Sequence, residues 1–263
     1  MRRRVGYIVI SFTIMCLMGC VSKKKEEFCF KQTELVCEVY ELHNGDAKFW
    51  KDKVITSIDG KLALLSLNGN IEKQYDINAS WIDGDERNNI LVYGNSNNEI
   101  GIVIFDNNND VVLNKVILKS NNLQIDPTIS VIEGDYYITT TEIKGNVNNA
   151  SVDQENGEYI LHLYESDNLE NWNKVSDIVD EYNNIEDVDI ILSNDELIVV
   201  YEKEELDKGK SSIMMKRSND RGRTWEGEKE LLEADSDHEP ATLFKFGEGY
   251  ILYYSSDYNG LIN

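Results

Sequence analysis

Three carboxylic acids stand at corresponding places in three related stretches of the chain. Asp126 opens the run from Pro127 to Thr139, Asp187 the run to Tyr201, and Glu239 the run from Pro240 to Tyr254. Acids that recur ahead of the same pattern converge in space if the pattern is a structural repeat. Converging carboxyls suit glycoside hydrolysis. One must keep its proton for the leaving oxygen, and another must be ionised to act as base or nucleophile across the sugar. Crowding like charges drives their pKa values apart, which is how one site holds both forms. An acid ahead of a strand also has a plainer use: it caps the strand or solvates a rim.

Each of the three stretches is an apolar strand, a Gly/Asp/Asn turn and a second strand rich in Tyr, Ile and Val, the pattern of a β-hairpin. Two of them continue into a third strand, a turn ending in Trp, and a fourth strand. The third strands are Tyr159 to Glu165 and Ser212 to Arg217. Four strands repeating at about fifty residues predict the blades of a β-propeller. Upstream, 89–93, 100–105 and 111–118 read as strands of one blade, with 106–110 as its outer turn. The stretches 35–42, 53–58, 61–67 and 70–77 read as an earlier one, with turns at Asp59-Gly60 and Asn68-Gly69. No stretch patterns as a long amphipathic helix. The expected fold is all-β, with four full four-stranded antiparallel blades and two strands of a fifth. The last blade is either completed by N-terminal strands around 28–40 or left incomplete with an open edge, which is the expectation adopted here. In this architecture the strand-1 entries share one face with the strand 2–3 loops. The acids would therefore ring the mouth of the central channel, away from the outer turns.

The turn Ser218-Asn219-Asp220-Arg221-Gly222-Arg223-Thr224-Trp225 fixes the comparison. Asp220 can accept N–H bonds from residues further on, Gly222 can take φ > 0, and Trp225 offers a large apolar body. Ser218, Asp220, Gly222, Thr224 and Trp225 match every fixed position of the Asp box, and the chain resembles the sialidases and other bacterial-neuraminidase-repeat propellers. There the box is structural. Ser166-Asp167-Asn168-Leu169-Glu170-Asn171-Trp172 resembles the S-x-D-L-x-x-W turn of five-bladed glycosidases. Asp126-Pro127 and Glu239-Pro240 resemble the base and acid motifs of arabinanase- and xylosidase-type members. That resemblance implies Asp126 as base, Asp187 as the acid that tunes and orients, and Glu239 as general acid. The chain departs from it in spacing: the family's first two acids lie about two blades apart, whereas Asp126 and Asp187 are on successive blades. By spacing alone, Asp76 or Asn78 competes for the base. Sialidases grip the substrate carboxylate with three arginines, because the planar fork suits it. Beyond the N-terminal segment this chain has Arg87, Arg217, Arg221 and Arg223, all expected on the other face.

The N-terminus carries Arg2-Arg3-Arg4, an apolar run from Val5 to Met18, and Gly19-Cys20. This is a secretory signal pattern, and its end resembles a bacterial lipobox. The expected organisation is a signal peptide at 1–19, lipidated Cys20 and a tether to residue 33, and a propeller at 34–263. The protein would then be lipid-anchored to the cell membrane and face outward. The formal net charge is −22, and loss of residues 1–19 removes three arginines and no acid. Such a surface repels nucleic acid and anionic lipid, so the lipid and not the charge would hold the membrane. Cys29 and Cys37 are left either as a disulfide or as two thiols. Asp83-Gly84-Asp85-Glu86 and 106–110 are acidic enough for calcium, though neither has EF-hand spacing; solvated turns are the expectation, and no other cofactor is implied. His162 patterns as a packed histidine, and His238 borders Glu239. Most of Tyr136, Tyr137, Tyr250, Tyr253 and Tyr254 are expected between blades. Three functions stay open: carbohydrate recognition at the cell surface with or without weak hydrolysis, a working glycosidase, and a protein-binding scaffold.

Overall fold

The computed structural model describes residues 46–145, 158–204 and 210–256, together with two strand segments, β1 (Thr13–Met15) and β2 (Phe30–Gln32). Cys20, Cys29, Cys37 and the stretch 35–42 lie outside the described residues. Blade 1 is β3 (Ala47–Trp50), β4 (Lys53–Ile58), β5 (Lys61–Ser66) and β6 (Ile71–Asn78). Blade 2 is β7 (Trp81–Asp85), β8 (Ile90–Asn95), β9 (Glu99–Phe105) and β10 (Val111–Lys119). Blade 3 is β11 (Leu123–Ile132), β12 (Asp135–Lys144), β13 (Glu158–Ser166) and β14 (Asn173–Glu181). Blade 4 is β15 (Asn184–Ser193), β16 (Glu196–Glu204), β17 (Ser211–Ser218) and β18 (Lys229–Leu232). Blade 5 is the pair β19 (His238–Phe246) and β20 (Gly249–Ser256). Every pairing is between sequence neighbours and antiparallel. β1 pairs with β2, and β1 lies alongside β20 without joining its ladder.

The first strand of each sheet is the innermost, since β3, β7, β11, β15 and β19 neighbour one another in that order. Apolar residues alternate out of both faces of these sheets and fill the spaces between blades. One cluster joins blades 1 and 2 through Trp50, Leu64, Tyr75, Leu91 and Phe105; another joins blades 3 and 4 through Leu161, Leu163, Val188 and Tyr201. Two sequence assignments are corrected. The first described strand of blade 1 is Ala47–Trp50 and not 35–42. Its anchor is Trp50, fully buried, edge-on to Phe105 at 5.4 Å, with its indole N–H on Asn109 Oδ1 at 3.1 Å. The inner strand of blade 2, β7, was missed because Asp83-Gly84-Asp85 reads as a turn. This strand position is a glycine because a Cβ there would stand 2.9 Å from the Trp50 ring.

The outer turns lock each blade to the one before. Ser218 Oγ accepts from the Gly222 N–H at 2.8 Å, and Asp220 accepts from the Thr224 N–H at 2.8 Å and its hydroxyl at 2.6 Å. These bonds hold the Asp220 carboxyl low, at about 2. Trp225 then reaches blade 3, donating to Ser176 Oγ at 3.0 Å, while Ser176 donates to the Gly222 carbonyl at 2.5 Å. Asn168 does the same work in blade 3, accepting from the N–H groups of Glu170 and Asn171, and Trp172 packs towards blade 2. In blade 2 the part falls to Asp106, which accepts from the N–H groups of Asn108 and Asp110 at 2.8 Å.

A second set of bonds joins the blades around the channel. Asp46 accepts from the Ile82 N–H at 2.9 Å and Asp83 from the Ile129 N–H at 3.0 Å. Ser130 donates to the Ile190 carbonyl at 2.7 Å, and Asp189 accepts from the Leu243 N–H at 2.6 Å. Each inner strand is thus latched to the next.

Candidate functional site at the channel mouth

Asp126 and Asp187 occupy the same place in successive blades. The register of β11 against β12 shifts between Ile125 and Thr128, and that of β15 against β16 between Glu186 and Asp189. Each acid sits in the bulge so formed, with φ +45° at Asp126 and +47° at Asp187. Bulges re-aim a side chain, and the left-handed region is sparsely populated for residues with a Cβ, Asp and Asn being the commonest exceptions. Glu239 stands on β19 ahead of the corresponding irregularity between Pro240 and Thr242, and it accepts from Ser255 Oγ at 2.9 Å. The three expected site residues are therefore brought together, at the start of three adjacent inner strands.

They act on one another electrostatically. Burial first, then the charges of Glu186, Asp46 and Glu239, hold the Asp126 carboxyl well above its ordinary range, against a bond from the Asp187 N–H. Burial, then Asp126 and Glu239, hold Asp187 well above it too. Two further acids belong to the site that the sequence reading missed. Glu202 lies on β16, paired in register with Glu186. It is buried, and one carboxyl oxygen from each of Asp187, Glu202 and Glu239 lies within 4.8 Å of the others. Burial and then Asp187 push Glu202 far up. Asp46, just before β3, keeps an exposed edge, yet the surrounding atoms strip enough water from its carboxyl to push it up to about 6, with Asp83 and Glu239 adding to the rise.

The remaining candidates go elsewhere. Asp76 is on the outermost strand of blade 1, exposed and paired with Lys61 at 2.7 Å, and Asn78 is exposed beside it; neither is at the entry of blade 2, because that blade begins at Trp81. Asp83 pairs with Lys48 and latches blade 3, while Asp85 accepts from the Arg87 and Asn88 N–H groups. The acids of the 83–86 and 106–110 stretches are thus engaged within the protein. Lys48 is raised, chiefly by Asp83. Arg221 spans to Glu133 and Asp135 of blade 3 at 2.9 and 3.0 Å, and Arg217 lies 3.6 Å from Glu196, so these arginines serve the far face. His162 is buried between Asp177 at 2.5 Å and Glu142 at 3.5 Å. His238 is buried and paired with Asp235 at 2.9 Å, so it is neither exposed at the rim nor free. Tyr137 is buried, Tyr250 donates to Ser193 at 2.8 Å, and Tyr253 stacks on Phe244 at 5.5 Å.

Fold and site together define an all-β propeller whose channel mouth gathers carboxyl groups from successive blades. Among solved structures the chain is similar to the Dos1 propeller, with 11% identity over 76% of this chain and 50% of that one, at a TM-score of 0.52. An α-L-arabinofuranosidase from Lactobacillus brevis is 17% identical over 64% of this chain and 59% of its own, at 0.49. One from Fusarium graminearum is 12% identical over 77% and 66%, at 0.49. The chain spans about half the length of the Dos1 propeller chain. At these identities the likeness is one of fold. No family model matches the chain, and no curated protein matches it.

Proposed function

We propose that the protein binds carbohydrate at the channel mouth and hydrolyses glycosidic bonds there. The observation that supports this most is the convergence of Asp126, Asp187 and Glu239 from three adjacent inner strands, with the first two set in matching bulges. Hydrolysis needs a proton donor and an ionised partner in one site. Glu239, the exposed member, is placed to protonate the leaving oxygen. Asp46, at about 6, is ionised at pH 7 and available as base. Asp126, the base that the resemblance implies, is held up by burial and by Glu186, Asp46 and Glu239, and Asp187 beside it orients the pair. Lipidation at Cys20 would display the site on the outside of the cell, where a glycan or glycoside is met.

The test is turnover of a panel of aryl glycosides by residues 21–263, with Glu239→Gln, Asp126→Asn and Asp46→Asn in parallel. The Glu239→Gln protein should lose turnover of substrates with poor leaving groups and retain part of it where the leaving group needs no proton. Equal turnover in all four proteins would remove these residues from the reaction. Absence of turnover on every glycoside, with sugars retained on a glycan array, would reduce the reading to recognition alone.

A further inference from the structure

Asp187, Glu202 and Glu239 each bring one carboxyl oxygen within 4.8 Å of the others, so three negative charges there would repel one another strongly. Glu202 is 6% exposed and enters from the second strand of blade 4, behind the bulge that carries Asp187. The charged neighbours that bear on it most strongly are acidic: Glu186 and Asp187 on β15, and Asp237 and Glu239 at the start of blade 5. Its strand neighbour Lys203 points the other way, to Glu181 at 2.5 Å and Glu228 at 2.8 Å. Across the ladder to β17 it faces apolar Ile213. A buried carboxyl set beside two others is relieved of the like-charge conflict by keeping a proton, and a protonated carboxyl is a hydrogen-bond donor.

We propose that Glu202 is a positioning residue of the channel-mouth site: it keeps its proton at neutral pH and donates it to Asp187, so that one proton is held between the two. The bond fixes Asp187 in its bulge, beside Glu239, and offsets part of the rise that burial, Asp126 and Glu239 impose on the Asp187 carboxyl. The direction in which burial and Asp187 move the Glu202 carboxyl agrees with this. The positioning role rests on the proposed hydrolytic reading. The shared proton does not, and it can be measured without any substrate.

Infrared difference spectra of protein labelled with 13C in the Glu side-chain carboxyls should show a protonated acid at pH 7. That band should shift in D2O and be missing from Glu202→Gln. Asp187→Asn removes a charge without removing Glu202, so the band should persist but titrate away at a lower pH, by about one unit or more. This second variant keeps the test open if Glu202→Gln folds poorly. A Glu202 that is ionised at pH 7 overturns the proposal. So does tight binding of calcium ion, added alone and followed by calorimetry, that is lost in Glu202→Gln, since a cation would then take the proton's place. In turnover, Glu202→Gln still offers an N–H donor and should retain most of kcat, while Glu202→Leu should lose kcat at least tenfold with KM little changed. A protonated Glu202 in a protein that turns over no glycoside would uphold the shared proton and sink the hydrolytic reading.

Discussion

Substituting Gly222 by Ala tests how the outer turn of blade 4 is fitted against blade 3. Two separate costs are expected. Gly222 has φ +81°, and placing a Cβ there costs about 1–2 kcal/mol. The added methyl would also stand 2.2 Å from Leu163 Cδ2, a side chain with no exposed surface, so relief requires a core to repack, at about 1–3 kcal/mol. Together these give about 2–5 kcal/mol by urea denaturation. Gly134→Ala separates them: its φ is +94°, but nothing lies within 4 Å of the new Cβ, so only the backbone cost of about 1–2 kcal/mol should appear. Leu163→Ala alone should cost about 2–5 kcal/mol through its cavity. In the double variant the new methyl enters the space that Leu163 vacates, and the two effects should fall short of additivity by about 1–3 kcal/mol. Strict additivity, or Gly134→Ala as damaging as Gly222→Ala, would refute the argument that the turn is held by close approach to Leu163.

Other outcomes follow from the charges. Asp220 is held at about 2 when folded, below its unfolded value near 4. Its stabilisation is therefore complete above about pH 4 and lost as pH falls towards 2, so Asp220→Asn should lower the melting temperature at pH 6 and converge on wild type near pH 2. Asp189 runs the opposite way. Burial raises its folded value to about 6, so the folded state binds the extra proton, and stability from this group falls as pH rises from about 4 through 6. Asp189→Asn, which can still accept from the Leu243 N–H, should flatten that decline in thermal melts taken between pH 4 and 7. Arg221→Ala should cost no more than about 1 kcal/mol, because its bridges to Glu133 and Asp135 are solvent-exposed; a loss several times larger in denaturant titrations would mean that the pair carries the blade interface.

The hairpins were legible because alternation and turn residues are local signals, and the turn 218–225 because five fixed residues each have a distinct job in it. Asp126 and Glu239 were legible through the proline that follows each. The rest of the site was hidden for physical reasons. Glu202 lies in a strand buried on both faces, so no alternation marks which way it points. Asp46 precedes a four-residue strand with one buried member, too short for a period to show. The bulges that aim Asp126 and Asp187 have no signature in residue type, since they are a mismatch in length between paired strands. Asp76 misled because the spacing argument placed the second blade several residues too early.

The latches around the channel have a direction. Asp46, Asp83, Ser130 and Asp189 each reach forward from one blade to the backbone of its successor. The assembly is therefore wired like a chain of clasps, each worn by the earlier segment and fastened on the later one. Loss of one clasp loosens a single blade boundary at the channel and leaves the pairs on either side fastened. Because each clasp grips a backbone group, which every inner strand offers, it binds neighbours together without depending on the side chains of the blade it meets.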